Sequence, residues 1–80
     1  MALIEGFAEA TTEQSRRRHK PVRCTYAVVE GKEGVLVQFD TYGTDGRKIR
    51  GKTSQSVQLD EISAGEMVKI LLNAFPRLRK

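Results

Sequence analysis

The sequence predicts an α+β fold, in which a curved antiparallel sheet of three to four strands carries one C-terminal helix across one face. Two alternating stretches rich in β-branched and aromatic residues flank a glycine-bounded turn, which is typical of a hairpin. A third alternating stretch follows a second turn, and an apolar stretch then runs without a breaker to Pro76. The 80 residues make one small domain. A core of that size contributes only about 3–5 kcal/mol, so such folds usually need a disulfide, a metal or a partner subunit.

The first 20 residues differ from the rest and allow two interpretations. Apolar residues at loose helical spacing favour a short helix that docks on the body, although a glycine and two threonines weaken it. The run SRRRHK before Pro21 favours a mobile arm with a basic end, because like charges repel each other. We therefore divide the chain into an N-terminal arm at residues 1–20, partly disordered or forming a short helix, and a sheet-plus-helix core at residues 21–80.

The strands of the core are justified by their alternation. VRCTYAVVE suits a pleated strand, GKEG a turn, and VLVQFDTY a second strand with clean alternation. After the turn GTDG, the stretch RKIRGKTSQSVQL predicts a strand whose first half is polar and basic. The sheet face away from the helix is predicted to be open and polar. Its outward residues are expected to be Thr25, Ala27, Gln38, Asp40, Tyr42, Gln55 and Gln58.

The helix is predicted to begin at Ser63, which has capping-box spacing to Glu66. Its apolar residues form two neighbouring stripes, wider than the arc of about 100° that one sheet covers. One stripe would cover the sheet. The second consists of Val68, Leu72 and Phe75, and we expect it to pack against a twofold mate. The alternative is a thicker core in which the N-terminal segment acts as a lid.

Positive charge is concentrated in short segments, although the net charge is only +4. Residues 15–23 contain five bases and no acid, and residues 46–59 contain four bases and no acid. Clustered base in an otherwise balanced chain indicates a polyanionic partner, and the alternative is charge that serves solubility. The four bases of the second cluster are Arg47, Lys48, Arg50 and Lys52.

Catalytic, metal and cofactor chemistry are not favoured. His19 and Cys24 are the only residues of their types, which excludes a Cys/His zinc site and an intrachain disulfide. One histidine in a basic stretch is a poor base for a hydrolytic triad, and Asp45 and Asp60 lie at predicted turns. We predict no enzyme, and we expect Cys24 to be a buried structural thiol on a strand.

One stretch approximates a phosphate-binding P-loop. Gly46 to Thr53 has the required spacing of glycines, lysine and threonine. A P-loop needs a helix that starts near Lys52, however, and the sequence there favours a strand. We therefore reject nucleotide hydrolysis.

Membrane and export signals are also not expected. No apolar run exceeds four residues, as at Met1–Ile4, which is far short of the roughly 18 residues of a membrane span. Glu5 interrupts the apolar start and no base precedes it, which argues against a signal peptide. One free thiol suits a reducing compartment, so we expect a cytoplasmic or nuclear protein that is not secreted.

The order of elements carries a resemblance over about residues 22–75. A strand of the form Val-Leu-Ile-x-Ile-x-x-Tyr is matched by Val35-Leu36-Val37, Phe39 and Tyr42. A basic segment is matched by Gly51-Lys52, and a last strand before an acidic helix start is matched by Val57-Gln58-Leu59-Asp60. In this pattern the chain resembles the transcriptional coactivator family called positive cofactor four, whose core binds single-stranded DNA. It departs from the family at Gly43, where a second aromatic is frequent, and at Arg50, where a proline is usual. Two residues are added between Lys52 and Val57, and the family's first short strand has no clear counterpart.

The resemblance implies a homodimer whose helices pack together and whose sheets form paired grooves for single-stranded DNA or RNA, with little sequence specificity and a role accessory to transcription or DNA transactions. The cationic segment would neutralise phosphates at the groove rim, while tyrosine and glutamine side chains face the bases. The predicted nucleic-acid-binding residues are Arg47, Lys48, Arg50, Lys52, Tyr42, Gln38, Gln55, Lys32 and Arg23. A second hypothesis is a protein-interaction or inhibitor module without a nucleic-acid ligand, in which the basic segment meets an acidic partner surface.

Overall fold

The structure is a computed structural model that describes residues 1–10, 17–43 and 53–79. Within these ranges the elements are β1 (Ala2–Ile4), β2 (Cys24–Gly31), β3 (Gly34–Tyr42), β4 (Thr53–Leu59), α1 (Glu61–Ala74) and a 3₁₀ turn (Pro76–Leu78). The predicted α+β class, with one C-terminal α-helix after the strands, is confirmed.

The strands form one open sheet in the order β1-β4-β3-β2. The β2–β3 and β3–β4 pairs are antiparallel, as predicted, but β1 pairs with β4 in parallel, with Ala2 opposite Val57 and Ile4 opposite Leu59. The expectation of a wholly antiparallel sheet was therefore wrong, and the sheet is mixed. The sequence did not indicate this pairing because the strand is three residues long and its partner lies far along the chain.

The β2–β3 hairpin follows from alternation and from its turn. Tyr26 lies opposite Phe39 and Val28 opposite Val37, so one face of the hairpin is apolar. The turn ends at Gly34, whose φ of 120° lies in a region that residues with a Cβ rarely adopt. Glycine at this position therefore permits the tight reversal that the sequence predicts.

Helix α1 begins earlier than the capping box predicted. Asp60 is the N-cap, and its carboxylate accepts a hydrogen bond of 2.9 Å from the backbone N–H of Ser63. Ser63 is fully buried within the first turn, and its hydroxyl donates to the carbonyl of Ile4 at 2.8 Å. The chain enters the helix directly from β4. Asp60 is consequently the first side chain that can reach the free N–H groups, and the predicted N-cap at Ser63 was wrong.

The core of the described chain is small. Leu59, at 4% exposure, is the one hydrophobic residue of the described ranges that is classed as buried. Helix α1 begins on the apolar side of the sheet, where Ala64 lines a cavity with Val35, Val37 and Leu59. Farther out on the same face, Tyr26 is 73% exposed, which leaves much of the apolar sheet surface uncovered by the described residues.

The residues after β1 lie along the helix. Gly6 is next to the carboxyl group of Glu66, and Phe7 shares a surface cavity with Ile70 and Ala74. The N-terminal segment therefore lies beside the helix face that carries Ile70 and Ala74. Neither interpretation of residues 1–20 anticipated a strand at Ala2–Ile4, and residues 11–16 lie outside the described ranges.

Cys24 is exposed, so the expectation of a buried thiol was wrong. It is the first residue of β2, which is one of the two edge strands of the sheet, and it lies beyond the part of the apolar face where α1 starts. Alternation with Tyr26 and Val28 identified its face correctly, but that face is open there.

Among the described residues, no helix combines the length and the apolarity that are needed to cross a bilayer.

Candidate nucleic-acid interface

Strand register places a group of polar side chains on the sheet face opposite the apolar one. Gln38 lies opposite Gln58 on one side and Ala27 on the other, and Asp40 lies opposite Ser56 and Thr25. Because residues directly opposite each other point to the same face, these side chains form one surface. We call this surface, with Tyr42, the polar face; its members are Thr25, Ala27, Gln38, Asp40, Tyr42, Ser56 and Gln58.

Four of these side chains form a continuous hydrogen-bond network across β3 and β4. The Gln58 amide donates to Oε1 of Gln38 at 2.8 Å, and the Gln38 amide donates to the two oxygens of Asp40 at 3.1 and 3.3 Å. The hydroxyl of Ser56 also donates to Oδ1 of Asp40. The Asp40 carboxylate thus accepts from a strand neighbour and from a cross-strand neighbour.

The network orients the groups that remain available to a ligand. Since Gln38 uses its oxygen toward Gln58 and its nitrogen toward Asp40, its amide has one preferred orientation. Ser56 is only 7% exposed, so its hydroxyl holds Asp40 in place and is not itself accessible to a ligand. The accessible polar groups are therefore amide and carboxylate edges in fixed positions, which suits hydrogen bonding to flat polar molecules.

Tyr42 closes one end of the polar face. Its hydroxyl lies 3.1 Å from the hydroxyl of Thr25, and the two share a hydrogen bond. Its backbone N–H donates to the carbonyl of Arg23 at 3.1 Å, which places Arg23 beside it at the same end of the sheet. The structure thus brings together two predicted site residues that are 19 positions apart in the sequence.

The predicted cations Arg47, Lys48, Arg50 and Lys52 lie outside the described residues. The strands that flank them are described, however, and Tyr42 is the register partner of Thr53, with a register shift beside it. Both strand ends that flank the cationic segment are therefore at the Tyr42 end of the sheet.

Two predicted residues are placed away from this end. Gln55 is opposite Thr41, so it points to the apolar side with Val57, and its predicted position on the polar face was wrong. Lys32 is in the β2–β3 turn, at the end of the sheet remote from Arg23, where it shares a surface cavity with Leu3. Strand geometry of about 3.3 Å per residue separates Arg23 from Lys32 by roughly 30 Å.

The predicted dimer residues differ in exposure. Val68 and Phe75 are 52% and 57% exposed, whereas Leu72 is half-buried. They continue the helix face that begins at Ala64, which lies over Val35 and Val37. This stripe is accordingly continuous with the uncovered apolar surface of the hairpin.

The polar face offers hydrogen-bonding groups from amide, carboxylate and hydroxyl side chains. In the described ranges, no group of three His, Cys, Asp or Glu side chains could hold a metal ion. Sequence reasoning assigned Asp40 to this face but missed its link to Ser56. Alternation gives the face of a residue, whereas the partner depends on register, for which the sequence offers no signal here.

The chain matches no family model, and no curated protein or solved structure is significantly similar to it.

Proposed function

We propose that this chain binds single-stranded nucleic acid on the polar face, with little sequence specificity, as a homodimer that is accessory to transcription or other DNA transactions. The observation that carries the proposal is the hydrogen-bonded network on the polar face. It shares this face with Tyr42, which lies beside the two strand ends that flank the cationic segment. The resemblance to the positive cofactor four family points the same way.

The two parts of this surface suit two parts of a nucleotide. The amides of Gln38 and Gln58 have fixed orientations and can hydrogen-bond to base edges, and the ring of Tyr42 can stack on a base. Binding of phosphates requires cations, which Arg47, Lys48 and the neighbouring basic residues supply. Contacts of this kind do not depend on the nucleotide sequence. A splayed single strand presents bases and phosphates together, whereas a duplex hides its bases.

The homodimer in this proposal forms through the second stripe of α1. A chain whose described part buries one hydrophobic residue has a weak core, and exposed Val68 and Phe75 are available to a second copy. An isologous contact between helices would bury the stripe in both subunits and leave both polar faces free.

The test is binding of a labelled oligo-dT of about 20 nucleotides at low salt, by fluorescence anisotropy, against a duplex of equal length. We expect tighter binding of the single strand, with affinity that falls steeply with salt because each phosphate contact releases about 0.7 counterions on single strands. Equal or tighter binding of the duplex would contradict the use of the polar face.

A second function, a protein-interaction or inhibitor module, is favoured by one feature of the same surface. The Asp40 carboxylate lies at the centre of the polar face, where it repels phosphates and attracts donors of a protein partner. Absorbance during purification separates the two functions. Co-purifying nucleic acid supports the first, while clean protein without affinity for any oligonucleotide supports the second.

A further inference from the structure

Strand β2 forms one outer edge of the sheet, and no other described residue pairs with its free side. The carbonyl of Arg23 accepts from the N–H of Tyr42, so the odd-numbered residues of β2 form the hydrogen bonds to β3. In an antiparallel ladder the residues between them direct their backbone groups the other way. The backbone N–H and C=O groups of the free edge therefore belong to Cys24, Tyr26, Val28 and Glu30.

This edge has few of the features that normally prevent strands from pairing. Such features are short length, proline, bulges and several charges. Strand β2 has eight residues, no proline, an unbroken register from Cys24 to Gly31 and one charged side chain, Glu30. At the opposite edge of the sheet, β1 is only three residues long.

We propose that β2 pairs in antiparallel fashion with β2 of a second copy of the chain, about a twofold axis through Ala27, to form an eight-stranded sheet. A twofold between identical antiparallel strands runs normal to the sheet, so residues of the same face become partners. With Ala27 on the axis, Cys24 pairs with Glu30 of the partner subunit and Tyr26 with Val28 of the partner subunit. All four outward residues of each strand then form both of their backbone hydrogen bonds.

The side chains of β2 are complementary in this register. Tyr26 and Val28 are 73% and 60% exposed, and pairing places each beside the other across the axis. Aromatic and β-branched side chains form favourable cross-strand pairs. Glu30 faces Cys24 rather than a second Glu30, so no like charges are opposed. A second copy of the chain therefore fits this edge in backbone and in side chains.

This interface is separate from the helix contact and from nucleic-acid binding. In the joined sheet, five strand spacings of about 4.8 Å separate the two β4 strands, which places them roughly 24 Å apart. Helix α1 begins beside β4, so the first turns of the two helices are on opposite sides of the new axis and similarly far apart. A chain that also uses Val68 and Phe75 would form a tetramer with two kinds of twofold contact.

The test is site-directed cross-linking of purified Glu30→Cys, oxidised with copper phenanthroline and analysed on a non-reducing gel. Hydrogen-bonded antiparallel partners have Cα atoms about 5.5 Å apart, within the range for a disulfide. We expect most of the protein to become a disulfide-linked dimer through Cys24 and the new cysteine. The unsubstituted chain should not cross-link. In this register the two Cys24 residues are offset by six positions along the paired strands, which separates them by about 20 Å.

Matched variants make the result specific. Lys32→Cys adds the same thiol two residues farther on and should not cross-link. Cross-linking of that variant instead of Glu30→Cys would overturn the Ala27 axis in favour of one at Val28. Cys24→Ser combined with Glu30→Cys should also fail to cross-link, and efficient cross-linking there would indicate random collision.

A further change breaks the edge itself. Val28→Pro removes an N–H that points away from β3, so it should abolish cross-linking in the Glu30→Cys chain while circular dichroism stays unchanged. Val28→Lys tests the same point if the proline variant does not fold. Cross-linking that survives both changes, or that never occurs in Glu30→Cys, overturns the proposal. The readout needs no oligonucleotide, so absent nucleic-acid binding would leave it intact.

Discussion

The hydroxyl of Ser63 donates a hydrogen bond of 2.8 Å to the backbone carbonyl of Ile4, across 59 positions of the sequence. Ser63 is fully buried, and the bond fixes the end of β1 to the first turn of α1. One side chain therefore connects the sheet edge, the helix and the N-terminal segment.

Replacing this residue tests the connection. Ser63→Ala leaves the Ile4 carbonyl without its buried donor, and we expect the free energy of unfolding to fall by about 1–3 kcal/mol in urea titrations. Ser54→Ala, at an exposed position of β4, should change it by less than about 0.5 kcal/mol. Equal stability of the two variants would show that the bond contributes nothing.

Removing the charge of Asp40 is predicted to strengthen the binding of nucleic acid. Asp40→Asn removes an anion from the middle of the polar face, and a unit charge about 6 Å from a phosphate in water is worth roughly 0.7 kcal/mol. We expect oligo-dT to bind about threefold more tightly at low salt, with the gain vanishing at high salt. Glu33→Gln, in the turn at the far end of the sheet, is the matched control. Weaker binding by Asp40→Asn would mean that the carboxylate accepts hydrogen bonds from the ligand.

The cationic segment should supply most of the electrostatic binding. Replacing Lys48, Arg50 and Lys52 with alanine should leave stability unchanged, because exposed charges contribute little to it. Anisotropy titrations should show much weaker binding, and the salt dependence should flatten by up to about 2 units of slope.

The control for that variant is a second triple substitution. Arg17, Arg18 and Lys20 replaced with alanine remove the same charge from residues that are exposed in the structure. This design avoids deleting residues 1–20, which would also remove β1. If the second variant loses nearly all binding and the first binds normally, the site is in residues 15–20 and our assignment is wrong.

The helix contact is best tested at Val68 rather than at half-buried Leu72. Val68→Asp places a charge in the proposed interface without disturbing a residue that the single chain buries. We therefore expect the two subunits to separate at this helix contact while the helix content is retained. Sedimentation velocity and circular dichroism measure the two effects. Lys69→Asp puts the same side chain at the adjacent helix position and should keep the wild-type assembly. Unchanged assembly of Val68→Asp would rule out this stripe.

The parts of the fold that sequence reasoning predicted are those that depend on local pattern. Alternation gave the β2–β3 hairpin and the two faces of β3, and the apolar stretch before Pro76 gave α1. The parts that it missed depend on distant partners. Nothing local to Ala2–Ile4 indicates that β4 has a free side, and the N-cap moved to Asp60 because the helix follows the strand without a linker.

The candidate site divides in the same way. Gln38 and Tyr42 were placed on the correct face from the period of two alone. Gln55 was misplaced because it is two positions from Val57 and therefore lies on the same face of β4. Its polar side chain suggested the other face, but glutamine occurs on either face of an exposed strand. The bonds that Asp40 forms with Gln38 and Ser56 became visible only with the cross-strand register.

The parallel pairing of β1 with β4 also sets an order of events during synthesis. Residues 2–4 leave the ribosome before residues 57–59, which are their partners in the sheet. The hairpin can close as soon as residue 42 has emerged, because its contacts are local. The first strand must wait until Leu59 and Ser63 are free, so the segment made first docks only after the hairpin can have formed. A nascent chain therefore carries an unprotected β4 edge during this interval, when capture by another chain competes with closure.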